Sequence, residues 1–126
     1  MKLLVCGSRR MTSLDFDIVK AEIEKFRPSL IIEGGAEGAD HLAWQVAIEL
    51  DIPYQEYKAN WVKHMKSAGA IRNQKMLDKG KPDHVLAFPA PDSKGTWDMV
   101  NKAKKAGVPV TVVNINWSPH PIGTAA

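Results

Sequence analysis

The residues best suited to chemistry stand in three short loops rich in glycine, hydroxyl and charge. Gly34-Gly35-Ala36-Glu37-Gly38-Ala39-Asp40 follows the apolar run Leu30-Ile31-Ile32-Glu33 and opens a helical pattern. Gly7-Ser8-Arg9-Arg10 follows Leu3-Leu4-Val5-Cys6, and Ser93-Lys94-Gly95-Thr96 precedes another helical segment. Glycine lets the main chain turn with φ > 0 and lets a ligand approach it closely. The unpaired N–H groups and the dipole of a helix N-terminus then favour an anion, most often a nucleotide phosphate. Gly7, Gly34, Gly35, Gly38, Gly95 and Thr96 are therefore candidate ligand-binding residues, with Ser8 as a donor to a phosphate or base edge. Arg9 offers a charged fork suited to phosphate or carboxylate, although Arg9 and Arg10 also fit a solvated surface. Asp40 has two readings, a cap for backbone donors or a partner for a ribose hydroxyl. Asp98, in the first turn after Gly95-Thr96, is either a carboxylate favoured by the helix dipole or a ligand or catalytic contact.

A second set stands apart from the loops. Arg72 and Asn73 follow Ala68-Gly69-Ala70-Ile71 and precede Met76-Leu77, where a loop entering a helix projects them toward a site. Trp61 is expected to cover the core, with stacking on a base as the other reading. Cys6 ends an apolar strand and reads as a buried, inert thiol. His41, His64, His84 and His120 share no metal-ligand spacing, so neither a metal site nor a cofactor is expected. No Gly-x-Ser-x-Gly elbow and no Walker-type Gly-Lys-Ser/Thr occurs.

The elements that must position these groups alternate. Lys2–Cys6, Ser29–Glu33, Tyr54–Lys58, His84–Phe88 and Pro109–Asn114 read as strands. Thr12 with Asp15 makes a capping-box start for a helix over Thr12–Phe26, its apolar side carried by Phe16, Val19, Ile23 and Phe26. Further helices are expected at Asp40–Leu50, at Ile71–Leu77 after an interruption at Gly69, and at Thr96–Ala106. Apolar strands alternating with helices imply α/β architecture: a Rossmann-like three-layer sandwich around a five-stranded, mainly parallel sheet. Ligands of such sheets bind beyond the carboxyl ends of the strands. The three loops follow strands one, two and four, so all three should share one edge. One domain over residues 1–116 and a tail over 117–126 account for the chain.

Composition narrows the partners. The 126 residues are 44% hydrophobic and 25% charged, with a net charge of +3 and one cysteine. No apolar run is long enough to span a bilayer, Leu3-Leu4-Val5 is too short for a signal-peptide core, and a lone cysteine fits a reducing compartment. The expectation is a cytoplasmic protein with no membrane partner. Lys102, Lys104 and Lys105 fit a solvated helix face. No basic stripe with interleaved aromatics accompanies them, so nucleic acid is not the expected partner.

Four motifs in order carry a resemblance that runs from about Lys2 to Asn114. Val5-Cys6-Gly7-Ser8-Arg9, Gly34 to Asp40, Ala68-Gly69-Ala70-Ile71-Arg72-Asn73-Gln74, and Ala87-Phe88-Pro89 followed by Gly95-Thr96-Trp97-Asp98-Met99 resemble the YspA-type, YpsA-related branch of the SLOG superfamily. That resemblance implies a Rossmann-like domain that binds or senses a nucleotide or nucleotide-derived ligand, in some members within prokaryotic and phage conflict systems. Relatives often self-associate, which implies a homo-oligomer. The more distant LONELY GUY phosphoribohydrolases cleave the N-glycosidic bond of nucleoside 5′-monophosphates. Their Cys-Gly-Ser strand end is similar to Cys6-Gly7-Ser8, and their Arg-Lys-x-x-Met helix to Arg72-Asn73-Gln74-Lys75-Met76. Their Pro-Gly-Gly-x-Gly-Thr-x-x-Glu loop is matched only at Gly95-Thr96. Met99 stands where the catalytic glutamate would be, and Asp98 is the nearest carboxylate. For a hydrolase, the resemblance therefore implies Arg72 and Asp98 as the catalytic pair.

Overall fold

A computed structural model describes residues 1–115; the tail expected from Trp117 onward lies outside them. Its strands are β1 (Lys2–Gly7), β2 (Leu30–Glu33), β3 (Tyr54–Glu56), β4 (His84–Phe88) and β5 (Val110–Val112). They form one sheet in the order β3-β2-β1-β4-β5, with every neighbouring pair parallel. The helices are α1 (Phe16–Glu24), α2 (Ala39–Glu49), α3 (Trp61–His64), α4 (Ala68–Lys75) and α5 (Lys94–Lys105).

Alternation along the strands builds two apolar layers. Leu3, Val5, Ile31, Leu86 and Phe88 face Val19 and Ile23 of α1 and Leu42, Ala43 and Val46 of α2. Leu4, Cys6, Ile32, Val85 and Ala87 face the other way, against Met76 and Leu77 and against Met99, Val100 and Ala103 of α5. Three layers result, because a parallel strand with helical crossovers buries both its faces. Each fully buried Leu or Ile contributes about 2–3 kcal/mol of apolar transfer. β3 departs from the pattern: it sits at the sheet edge, all three residues are exposed, and it stops two residues before the expected Lys58.

The helix starts are locally encoded. Thr12 Oγ1 accepts from the Leu14 N–H at 3.3 Å, and Asp15 Oδ2 accepts from the Thr12 N–H at 2.9 Å, which is the expected capping box. The first turn, Ser13–Asp15, is a 3₁₀ turn, so the α-helix proper begins at Phe16 and ends at Glu24. Gly69 does not interrupt the chain as expected. It lies within α4, between two alanines whose propensity outweighs one glycine. A π-helical turn, Met76–Gly80, then closes α4 and brings Met76 and Leu77 onto the sheet. α5 starts two residues earlier than expected, so Gly95 and Thr96 both belong to its first turn.

Candidate functional site

The carboxyl ends of β1, β2 and β4 bring the three loops to one edge. They border a cleft of about 600 Å³ whose walls include Gly7, Arg9, Asp40, Arg72, Asn73 and Thr96. A smaller recess of about 330 Å³ adjoins it and shares Arg9, Ala36, Trp61 and Arg72 with it.

The first two loops are stitched to each other. Gly38 caps α2 with φ +79°, and a Cβ there would collide with the Ser8 carbonyl oxygen and the backbone of Arg9. The Ala39 N–H donates to that carbonyl at 3.1 Å. Gly7 is equally confined: a Cβ would lie 2.7 Å from both Ala39 Cβ and the Phe88 oxygen. Ser8 is buried, and its Oγ accepts from the Arg10 N–H at 3.0 Å. Ser8 is not among the residues that line the cleft, and its hydroxyl shapes the loop.

The Gly34–Asp40 loop satisfies part of its own donor set. The Gly35 N–H donates to Glu33 Oε1 at 2.6 Å, and the Ala36 N–H donates to Asp40 Oδ2 at 3.2 Å. Two carboxyl groups thus stand where the sequence places a phosphate; Asp40 accepts from a loop N–H, while α2 itself has no side-chain cap. Burial pushes the Asp40 carboxyl up to about 6, against the pull of Arg72 and the loop N–H groups. Glu33, the last residue of β2, is fully buried and its Oε2 has no hydrogen-bond partner. Burial, and then the carboxylate of Glu56, its register partner on β3, push it up to about 8. Glu56 accepts a hydrogen bond from Glu33 only when Glu33 carries the proton. By sequence Glu33 is simply the last residue of a strand; the signal of a further role is a lone carboxylate ending an otherwise apolar run.

Arg72 and Asn73 come in from α4. Arg72 donates through Nη1 to the Gly34 carbonyl and through Nε to Asn73 Oδ1 at 3.0 Å. Its guanidinium fills the space beside Gly34, where a Cβ would come within 2.8 Å of Cζ and 2.9 Å of Asp40 Oδ2. Asn73 is buried, and its Nδ2 donates to the Gly95 carbonyl at 3.1 Å and to Asp98 Oδ2 at 3.0 Å. It therefore ties α4 to the start of α5 with every amide function engaged.

Two features of α5 decide what the cleft can hold. No side chain caps its N-terminus, because Ser93 Oγ accepts instead from the Ala90 N–H at 2.9 Å. A Cβ at Gly95 would meet nothing within 4 Å, so the first turn opens onto free space. Lys66 and Lys94 add positive charge to the same walls. Asp98 lines the cleft but is held by Lys102 Nζ at 2.7 Å as well as by Asn73. Met99, at the position of the family glutamate, is fully buried in the core layer with Leu4 and Val100.

Trp61 departs from expectation. It is 49% exposed rather than a lid on the core, and Arg9 lies 5.5 Å from the centroid of its ring. The pair stands where cleft and recess meet. Cys6 is buried at the cleft floor, and burial pushes its thiol far up, as befits an inert cysteine. Among the described residues no group of three or more His, Cys, Asp or Glu is placed to hold a metal ion. No described helix is long and apolar enough to cross a membrane.

A five-stranded parallel sheet in this order, with helices on both faces and its cleft at the carboxyl edge, defines a Rossmann-like α/β domain. The model of the YspA, cpYpsA-related SLOG family matches residues 1–64. The Gene 61 protein of Mycobacterium phage D29 is 34% identical over 117 residues, covering 86% of this chain and 93% of the phage protein. The chain belongs to the YspA, cpYpsA-related SLOG family. DNA processing protein A (DprA) from Streptococcus pneumoniae shares the fold at a TM-score of 0.72 and 17% identity, over 94% of this chain and 51% of that one. UDP-GlcNAc 2-epimerase from Neisseria meningitidis, bound to UDP-GlcNAc, does so at 0.56 and 16%, over 97% and 34%. This chain thus spans about half of the first protein and a third of the second.

Proposed function

We propose that this protein binds a nucleotide or nucleotide-derived ligand in the cleft at the carboxyl edge of the sheet. The observation that carries the reading is the uncapped N-terminus of α5, open at Gly95 and flanked by Arg9, Lys66 and Lys94. The Lys94 N–H donates to the Asp92 carbonyl, but the next N–H groups at the positive end of this twelve-residue helix have no side-chain cap and, with cations around them, suit a phosphate. Arg72 adds charge to the same cleft while anchored to Gly34. The exposed face of Trp61 suits a base or sugar. A cleft of about 600 Å³ accommodates a mononucleotide. Membership of a SLOG family supports the same ligand class.

A second reading, cleavage of a nucleoside monophosphate at its N-glycosidic bond, rests on Asp98. Asn73 and Lys102 fix this carboxylate on the cleft wall, and a fixed carboxylate can stabilise a cationic ribosyl centre. Lys102 offsets its charge, however, and Met99 is committed to the core. The geometry therefore supports holding a nucleotide over cutting one. Nucleic acid is less well supported, since the sequence carries no basic stripe with interleaved aromatics to continue the cations of this cleft.

The test is a thermal-shift and base-release panel of nucleoside mono-, di- and cyclic phosphates. Binding raises Tm, as mass action requires, and Lys94→Ala with Lys66→Ala removes the rise. No shift with any nucleotide refutes the reading. Free base released by the wild type and not by Asp98→Asn favours the hydrolase instead.

A further inference from the structure

We infer that the smaller recess is a second anion subsite, so that the ligand carries two phosphate groups, one on each side of the Trp61–Arg9 pair. The inference rests on the nucleotide reading and concerns a part of the molecule which that reading leaves unused. The recess is walled by Gly34 to Glu37, Lys58, Ala59, Arg9, Trp61 and Arg72. Three cations therefore face one lining carboxylate, Glu37. The first cleft already accommodates a nucleoside monophosphate, so an adjoining cationic recess exceeds what that ligand needs.

Lys58 is placed for the task by the glycine opposite it. Its aliphatic stem lies across Gly35, where a Cβ would come within 2.8 Å of Lys58 Cγ; Gly35 has φ +71°. The ammonium lies 3.5 Å from Glu56 Oε2 with 76% of the side chain exposed, an ion pair worth little in water. The N–H groups of Gly35 and Ala36 are already taken by Glu33 and Asp40. An anion in the recess is therefore held by side-chain cations rather than by backbone. Arg9 and Arg72 line both spaces, so they face both phosphates, while Lys58 lines the recess alone. The Trp61 ring, backed by Arg9, leaves an exposed face between the two for the nucleoside to lie against.

Calorimetric titration of the full chain with nucleoside 5′-monophosphates and the matching 3′,5′-bisphosphates, in the four common base series, tests this. The expected result, in at least one series, is at least tenfold tighter binding of the bisphosphate. That ratio falls to within twofold of unity in Lys58→Ala and shrinks as salt is raised. Lys58 is exposed, so its loss does not threaten the fold. A monophosphate that binds with no gain from the second phosphate overturns the inference and leaves the nucleotide reading standing. So does a gain that Lys58→Ala leaves intact. Failure of both ligands to bind overturns the inference, and the nucleotide reading falls with it only if the full nucleotide panel is silent too.

Discussion

Glu33→Gln should stabilise this protein, and by an amount that grows with pH. Glu33 is fully buried, with Oε1 on the Gly35 N–H and Oε2 without a partner. Its carboxyl has an ordinary value of 4.5 and a folded value of about 8, raised by burial and by Glu56. The native state thus holds this proton more tightly than the unfolded chain does. Stability is full below pH 4.5, falls as pH rises through the window to about 8, and is level beyond it. At pH 7 the unfolded chain is ionised and the native side chain is not, which costs roughly 3 kcal/mol; above pH 8 the cost is on the order of 5 kcal/mol. Glutamine ionises in neither state and carries no such cost. Its oxygen can still accept from the Gly35 N–H, and its amide can turn to Glu56, the register partner on β3. Urea denaturation of both proteins between pH 4 and pH 9 reads the effect. The two should coincide near pH 4, and at pH 7 the variant's midpoint should lie higher by roughly 1–2 M. A variant whose difference from wild type is the same at every pH would falsify the argument, as would one less stable at pH 7.

Two further outcomes follow from the same packing. Asn73→Ala removes three hydrogen bonds between α4, α5 and Arg72, and should lower stability by about 2–3 kcal/mol, read by denaturation, and weaken nucleotide binding in parallel. Cys6 should resist a thiol reagent such as DTNB in the native protein and react at once in urea, because its thiol is buried and held protonated; fast native-state labelling would contradict its placement.

The elements that were easiest to read are those with one possible burial. β1, β2 and β4 are covered on both faces, so Leu3-Leu4-Val5, Leu30-Ile31-Ile32 and Val85-Leu86-Ala87 appear as unbroken apolar runs. Thr12 and Asp15 spell their cap within four residues. β3 and α4 are harder because each shows a polar face to water: β3 buries nothing, and the buried residues of α4 are Ala68 and Asn73. An asparagine whose partners are Arg72, Gly95 and Asp98 carries no local sign of burial. The convergence of the three loops was legible from topology alone, since loops after parallel strands must lie on one edge. What each loop does with its donors was not, because Glu33 and Trp61 owe their roles to Glu56 on β3 and to Arg9 after β1.

That difference changes where an anion belongs. The Gly34–Asp40 loop has the sequence of a phosphate cradle, yet a phosphate at the Gly35 and Ala36 N–H groups would have to displace Glu33 and Asp40. Displacement would leave two buried carboxyls without their donors, and phosphate supplies the same kind of acceptor that they already supply, so nothing offsets the loss. At the start of α5 the Asp92 carbonyl takes the Lys94 N–H, but no side chain caps the turn: Ser93 points back to Ala90, and a Cβ at Gly95 would meet nothing within 4 Å. The loop serves another purpose, because its Gly34 carbonyl and Asp40 carboxylate hold the guanidinium of Arg72 against the cleft wall. A cation fixed in advance loses less freedom when a phosphate arrives than one free in solvent. On the proposed nucleotide reading, the glycine run is thus the mount for the arginine, and the open end of α5 is where the phosphate is expected.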